Sequence, residues 1–147
     1  MNTESLHVIY ISQLAPGQNC AVFSAICRVA RSRNTDLGVA GVLLFDGERF
    51  LQWLHGARDP VSQLMNAIVA DTRHADVRVL LRRPLPATEA DRRWRSGFID
   101  ADSLDTFAAL DPTDHGAIFE GLARLLALAD LDPVPPITVP PVSPSTP

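Results

Sequence analysis

The sequence lacks an excess of positive charge, and it lacks any apolar run long enough to cross a membrane. Lys and Arg number 13 against 17 Asp and Glu, for a formal net charge of -4. Phosphate backbones are bound by clustered Lys and Arg, and a membrane-spanning helix needs about 20 consecutive apolar residues. The composition therefore argues against nucleic acid as the main partner and against a membrane partner.

Cysteine is scarce, and the N-terminal segment MNTESLHVIY lacks the features of a secretory signal. It has no basic stretch followed by a long apolar core. The two cysteines, Cys20 and Cys27, form neither a CxxC motif nor a zinc pattern. These absences predict a cytoplasmic protein whose thiols are reduced.

Recognised catalytic and metal-binding motifs are also missing. The four histidines are scattered, without HxxxH or HExxH spacing. The sequence contains no GxSxG, no P-loop and no GxGxxG motif. We therefore predict neither a metal site nor an enzyme.

Apolar periodicity predicts the secondary structure of the first hundred residues. The predicted strands, rich in β-branched and apolar residues, are 6–12, 39–45, 49–55, 75–83 and 94–99. Two helices are predicted from apolar spacings of three and four: 19–33, with Asn19 as N-cap, and a second that starts at Asp59-Pro60. The order β-α-β-β-α-β-β predicts an α+β, ferredoxin-like sheet with two helices on one face and an added fifth strand.

The other face of such a sheet would be bare. Two further amphipathic segments, 103–110 and 114–129, are predicted helices that either cap this face or make a subunit contact. Residues 101–131 are therefore expected to form a C-terminal helical cap on a domain of residues 1–100. The proline-rich tail 132–147 is expected to be extended or disordered.

A glutamine interrupts the apolar segment FLQWLHG of the third predicted strand. Side chains alternate along a strand, so Gln52 shares a face with Phe50 and Leu54, and Tyr10 shares one with Val8. If both faces point toward the two helices, an amide and a phenol lie inside an apolar layer. Buried polar groups need partners: the two residues either satisfy each other or hold a polar ligand between the helices and the sheet.

Five motifs in order resemble the BLUF domain, a blue-light sensor that uses FAD. They are the strand LHVIYIS, the helix end ARSRN followed by GVAG, the hairpin LLFDGERFLQWLHG, the helix end IVADTRH followed by VRVLL, and a tryptophan in the last strand. The resemblance runs from about Leu6 to Ile99. It implies that residues 1–100 form a BLUF-like domain that binds a flavin noncovalently, either FAD or, alternatively, FMN.

The resemblance implies a photochemical switch and no catalytic residues. Gln52 would lie between the flavin ring and Tyr10. After blue-light absorption an electron and a proton would leave Tyr10 and return, and the Gln52 amide would rearrange, which shifts the flavin absorption to the red. Further cofactor contacts implied by the resemblance are Asn34 at the pyrimidine edge, Ile26 and Ile68 on the two faces of the ring, Asp71, Arg73 and His74 near the polar edge and the flavin side chain, and Trp94.

Several of these residues, taken alone, also have a purely structural interpretation. Tyr10 is then a core tyrosine, Asn34 caps the end of the first helix, and Trp94 is a packing residue. Arg73 and His74 are then cations that suit a helix C-terminus.

The chain departs from the family pattern at several positions. The W-x-M of the last strand reads W-R-S, so Ser96 stands in place of the methionine. An arginine of the second helix is replaced by Asn66 or Ala67, and the glutamate before the glycine of the hairpin is His55. The first change bears on signal output, and the second bears on binding of the flavin phosphate.

We therefore expect a blue-light photoreceptor that signals to a protein partner, or through a homo-oligomer, by way of its C-terminal helices. Two alternatives remain at this point. One is a non-signalling flavin-binding or protein-interaction module derived from a BLUF domain. The other is a small flavin reductase, although no nicotinamide fingerprint supports it.

Overall fold

The structure, a computed structural model, describes residues 4–86 and 93–132. Its strands are β1 (Glu4–Leu14), β2 (Ala40–Phe45), β3 (Arg49–Gly56), β4 (His74–Pro86), β5 (Trp94–Phe98) and β6 (Asp130–Asp132). Its helices are α1 (Val22–Leu37), α2 (Arg58–Ala70), α3 (Ala101–Ala108) and α4 (His115–Leu128).

The strands form one sheet in the order β4-β1-β3-β2-β5-β6. The first four strands in this order have the ferredoxin-like arrangement, with β3 antiparallel to both β1 and β2. The added strand β5 runs parallel to β2. The predicted fold class is therefore confirmed.

A short sixth strand was not predicted. It pairs antiparallel with residues 96–98 of β5, at the junction between the predicted helical cap and the predicted tail. An isolated three-residue segment has no periodicity to detect, and its pairing depends on the position of α4 before it. The tail prediction for 133–147 lies outside the described residues.

Two helical layers cover the two faces of the sheet. The first apolar cluster joins one face to α1 and α2, through residues that include Phe23, Leu64 and Ile68. The second joins the other face to α3 and α4, through residues that include Leu104 and Leu122. Of the two roles predicted for the C-terminal helices, the structure therefore shows the capping of the bare face.

The helix ends differ from the sequence prediction by a few residues. The first helix begins at Val22, and Asn19 instead accepts the Ala21 N–H at 2.9 Å in the preceding turn. It continues to Leu37 and ends at Gly38, whose φ of 69° is the left-handed conformation that glycine tolerates best. Asn34 is therefore inside α1, so its interpretation as the helix cap is wrong.

The second helix begins at Arg58, so Asp59 lies in its first turn and is not the N-cap. A carboxylate there still suits the positive end of the helix dipole. Pro60 follows where its missing N–H costs nothing, because the first N–H groups of a helix have no intrahelical partner. In the ranges 4–86 and 93–132, no helix is both long enough and apolar enough to cross a membrane.

Candidate functional site

The central strands bring Tyr10 and Gln52 together. They are directly opposite each other in the β1–β3 pairing, and both side chains point toward α1 and α2. Gln52 Nε2 donates to the Tyr10 hydroxyl oxygen at 2.5 Å. Tyr10 is 2% exposed and Gln52 is 5% exposed, so the phenol and the amide satisfy each other inside an apolar layer, as one of the two interpretations of the sequence predicted.

Trp94 supplies a second partner for the Gln52 amide. Its indole N–H donates to Gln52 Oε1 at 3.2 Å, and its ring is buried. The side chain therefore points into the protein. Gln52 is held by Tyr10 on its nitrogen and by Trp94 on its oxygen, which specifies one of the two orientations of the amide.

Asn34 offers the same indole N–H a different acceptor. It is fully buried on α1. With its amide oriented to satisfy both ends, Oδ1 accepts from Trp94 Nε1 at 2.9 Å and Nδ2 donates to the Ala30 carbonyl at 3.2 Å. One indole N–H thus has two amide oxygens within reach, one on the sheet and one on the helix.

A small cavity opens beside this network, between the sheet and the two helices. Seven residues predicted as cofactor contacts line it: Tyr10, Ile26, Gln52, Ile68, Asp71, Arg73 and His74. Asn34 and Trp94 are not among the lining residues; they meet the network through each other and, for Trp94, through Gln52.

Five lining residues escaped the sequence reasoning. They are Val29, Ala30, Arg33, Leu43 and Phe50. Three of them follow Ile26 on α1 at spacings of three and four, which is the signal that could have identified them. Arg33 is the most informative, because its Nε is buried and has no hydrogen-bond partner among the described residues.

The polar side of the cavity is built by the chain that leaves α2. Arg73 and Asp71 form an ion pair at 2.7 Å, and the Arg73 guanidinium lowers the pKa of the Asp71 carboxyl. Next to them, the two ring nitrogens of His74 lie 2.8 Å from Ser12 Oγ and 2.6 Å from the Ile68 carbonyl oxygen.

The environment keeps the Tyr10 phenol protonated. Burial raises its pKa well above the ordinary value, and the Gln52 hydrogen bond and the positive charge of Arg33 offset this only in part. A phenol that cannot ionise by itself can still release a proton together with an electron. The adjacent amide carries both donors and an acceptor, so its rotation reverses the hydrogen-bond pattern that it presents.

The structure also shows the surroundings of the residues at which the chain departs from the family pattern. Ser96 is buried on β5, and burial raises the pKa of the Cys27 thiol on α1, an effect that the Ser96 hydroxyl offsets in part. Asn66 and Ala67 are exposed on α2. Within the described residues, no group of three His, Cys, Asp or Glu side chains is placed to hold a metal ion.

Comparison with known sequences identifies a family. The model of the BLUF family, described as sensors of blue light using FAD, matches residues 6–96. The chain is 33% identical over 101 residues to the photoactivated adenylate cyclase subunit beta of Euglena longa, a match that covers 69% of this chain and 12% of that protein. It is 32% identical over 80 residues to the blue light- and temperature-regulated antirepressor BluF of Escherichia coli K12, which covers 54% of this chain and 20% of that protein.

Solved structures give the same result. The dark-state structure of the BLUF protein BlrB superposes with a TM-score of 0.65 at 27% identity, over 86% of this chain and 98% of that chain. Klebsiella pneumoniae BlrP1 with FMN and cyclic diGMP superposes with a TM-score of 0.56 at 27% identity, over 85% of this chain and 30% of that chain. The chain thus spans almost all of one short relative and only a small part of the curated proteins that it matches.

Proposed function

The chain belongs to the BLUF family of blue-light sensors that use FAD, and from this we propose that the cavity holds the flavin and that Tyr10 and Gln52 are its light switch. The observation that carries the proposal is the buried network in which Tyr10, Gln52 and Trp94 are joined beside that cavity. FMN is an alternative occupant, since BlrP1 has been solved with it.

The residues around the cavity fit a flavin. The ring has two apolar faces, for which Ile26 on α1 and Ile68 on α2 supply opposing apolar walls. Its polar edge needs hydrogen-bonding groups, which Gln52 supplies. Arg33, with its unpartnered buried Nε, and Arg73 supply positive charge for carbonyl or phosphate oxygens. These two arginines are candidates to replace the basic group that α2 lacks.

The switch uses the chemistry of a phenol and an amide. A flavin, when bound, would supply the absorption of blue light and the acceptor for one electron and one proton. Tyr10 releases an electron and a proton from its hydroxyl and later recovers both, so no covalent bond is left behind. When the proton returns, the Tyr10 O–H can donate to Oε1 of a rotated amide as well as accept from Nε2, so either orientation of Gln52 would keep a hydrogen bond to the phenol. After rearrangement, Gln52 presents a different donor and acceptor pattern to the cavity.

Asn34 has a defined part in this proposal. Rotation of the Gln52 amide would turn its NH₂ group toward the Trp94 N–H, and two donors would then face each other. The indole can instead donate to Asn34 Oδ1. We therefore assign Asn34 to the accommodation of Trp94, in addition to the flavin contact that the family resemblance implies.

The output is proposed to pass through the sheet to α3 and α4. Neighbouring strand residues point to opposite faces, so Leu51 and Trp53, on either side of Gln52, pack in the layer under these helices. Arg49 at the start of β3 also pairs with Asp105 of α3 at 2.7 Å. The apolar faces of the two helices are used against the sheet, so a protein partner or a second copy would bind their outer faces.

We propose that these 147 residues have a sensory role without catalysis. The Euglena cyclase matches over only 12% of its length, which fits a sensory module separate from the cyclase activity in its name. A location in the cytoplasm is also proposed, because both cysteines are free thiols.

The experiment that tests the switch is Tyr10→Phe, because Tyr10 is the single tyrosine of the chain. The unaltered protein, purified with FAD, is expected to show a reversible red shift of the flavin absorption after blue light. The variant should bind FAD and show no such shift, because phenylalanine has no proton to release. A full red shift in the variant would overturn the assignment of Tyr10.

One observation favours a second candidate, a flavin-binding module that no longer signals. Ser96, which is buried on β5, occupies the position where the family methionine would lie between the glutamine and the sheet. This candidate predicts a normal red shift with no light-dependent change in the size of the protein or in hydrogen exchange of α3 and α4. A light-dependent change in either would exclude it.

A further inference from the structure

The imidazole of His74 has one hydrogen-bonding neighbour at each of its two ring nitrogens. Its Nε2 lies 2.6 Å from the Ile68 carbonyl oxygen, which has only lone pairs to offer, so Nε2 must carry a hydrogen. Its Nδ1 lies 2.8 Å from Ser12 Oγ, whose hydroxyl can donate to an unprotonated ring nitrogen. The geometry therefore assigns a hydrogen to Nε2, while the Ser12 hydroxyl, which can donate or accept, completes the second hydrogen bond at Nδ1.

Both ring nitrogens of His74 already have hydrogen-bond partners within the protein. His74 lines the cavity, with its ring edge-on to Tyr10 and Phe50 at centroid distances of 6.2 and 6.0 Å. It can thus present its ring surface to an occupant, but a hydrogen bond to that occupant would break one of the two existing bonds. The sequence analysis expected His74 to contact the polar edge of the flavin. This geometry instead favours a role for His74 in positioning the elements around the cavity.

A β-bulge places His74 on this side of the sheet. The pairing of β4 with β1 shifts by one residue just before Gln13, where Asp76 has a φ of 53°. After the shift His74 is opposite Leu14, whose side chain packs in the layer of α1 and α2. Unshifted pairing would put Ala75 opposite Leu14 and would turn His74 to the other face, since a one-residue slip inverts a strand.

The hydrogen bonds of His74 join three elements that surround the cavity. Ser12 is completely buried on β1, on the same face as Tyr10 and two residues from it. Ile68 lies in the last turn of α2, where its carbonyl also accepts the Asp71 N–H at 3.1 Å. The Ile68 side chain is a wall of the cavity. The two hydrogen bonds, from Ser12 to His74 and from His74 to Ile68, thus hold the end of α2 in place relative to the sheet.

We propose that Ser12 is a positioning residue of the cofactor site, acting through its hydrogen bond to His74 to hold Ile68 and the end of α2 against the flavin. The inference rests on the proposed function only in taking the occupant to be a flavin. No role in the site follows for Ser12 from the sequence motifs, because it touches the cavity only through His74.

The first test needs no light. Nitrogen-15 NMR of the imidazole groups in the full chain, with the His74 signal identified by its loss in His74→Gln, reports which ring nitrogen carries the hydrogen. The expected result is a hydrogen on Nε2, which the Ile68 carbonyl oxygen requires. A signal from the Nδ1–H tautomer would overturn the proposal, whatever the photochemistry of the protein.

The second test measures FAD affinity. Ser12→Ala removes only the hydroxyl, and loss of one buried hydrogen bond predicts a Kd for FAD raised by about 3- to 10-fold. Ser12→Thr restores the hydroxyl and should return the Kd to within about twofold. Ser12→Cys, of similar size with a weak donor, should give an intermediate value if threonine is too large for the buried position. Ser24→Ala, an exposed serine on α1, is the matched control.

The outcomes separate this inference from the proposed function. An unchanged Kd in Ser12→Ala, with FAD binding normal in the unaltered protein, overturns the role of Ser12 alone. A weakened Kd together with a missing red shift in the unaltered protein supports Ser12 and overturns the light switch. Failure of the unaltered protein to bind FAD or FMN overturns both. An equal loss of affinity in Ser24→Ala would also overturn the specific role of Ser12.

Discussion

Acid should destabilise this protein through a buried histidine under the C-terminal helices. His7 on β1 is 3% exposed. Its Nδ1 accepts the Trp53 indole N–H at 3.1 Å, and its ring stacks on His55 at 4.9 Å with an interplanar angle of 5°. The edge of Phe119 from α4 closes the stack at 5.9 Å. Protonation would put a charge into this enclosed layer and would remove the acceptor for Trp53.

The pKa of His7 determines how much folding stability is lost in acid. Burial, and secondarily the neighbouring His55, lower it from 6.5 to about 3. The unfolded chain therefore takes up a proton as the pH falls below 6.5, while the folded protein stays neutral until about pH 3. Stability that is fully present above the unfolded pKa is lost between these two values, at about 1.4 kcal/mol per pH unit. Between pH 7 and pH 5 the loss attributable to His7 is about 2 kcal/mol.

Urea unfolding at pH 7 and pH 5 measures this loss. Other groups also titrate in this range, so the informative quantity is the difference between variants. His7→Gln keeps an acceptor for the Trp53 indole but cannot be protonated, and it should lose about 2 kcal/mol of the pH dependence. His115→Gln, which replaces a histidine outside the stack, should keep that dependence. An equal pH dependence in His7→Gln and the unaltered protein would refute the reasoning.

Three further predictions concern packing, each measured on the full chain. Gly41→Ala should prevent folding, as judged by circular dichroism, because its Cβ would lie 1.8 Å from the Trp53 carbonyl oxygen; a folded variant would contradict the strand geometry. Leu122→Ala should lower the free energy of unfolding in urea by about 2–5 kcal/mol, because this fully buried side chain joins α4 to the sheet; a loss below about 1 kcal/mol would argue against that contact. Gly97→Ala should release β6, because its Cβ would lie 2.2 Å from the Asp130 carbonyl oxygen; unchanged amide exchange in residues 130–132 would exclude the pairing.

Much of the fold could be predicted because regular elements impose a periodicity on their sequence. The alternation in FLQWLHG and LHVIYIS put Gln52 and Tyr10 on one face each, and the structure shows those faces to be the same one. The apolar stripe of α2, Val61, Leu64, Met65 and Ile68, is buried as the helical spacing predicts. These patterns are local consequences of backbone geometry, so they can be read without knowledge of the rest of the chain.

Element ends were predicted less well, for a different reason. Asn19 and Asp59 both have the chemistry of an N-cap, yet each lies two residues from the position where its helix has that cap. Several residues near a helix start can satisfy the same free N–H groups, so the choice among them depends on how the helix meets the sheet. Local chemistry limits the start to one turn and does not select the residue.

The same distinction between local pattern and tertiary packing applies to the residues of the candidate site. Motif order pointed to Tyr10 and Gln52, because a strand tyrosine and a strand glutamine are visible in the sequence. Arg33 was missed, because its unpartnered Nε exists only once α1 is packed against the sheet.

The longer helices and strands, and the faces they bury, can thus be predicted from the sequence, since alternation and helical spacing act over a few residues. The tertiary structure alone decided that Trp94 points inward to Gln52, that a bulge at Asp76 turns His74 toward the cavity, and that Ser12 meets His74 across 62 positions of the chain. Such contacts depend on strand register and on helix placement, which are set by the packing of the whole domain and leave no periodic trace in the sequence.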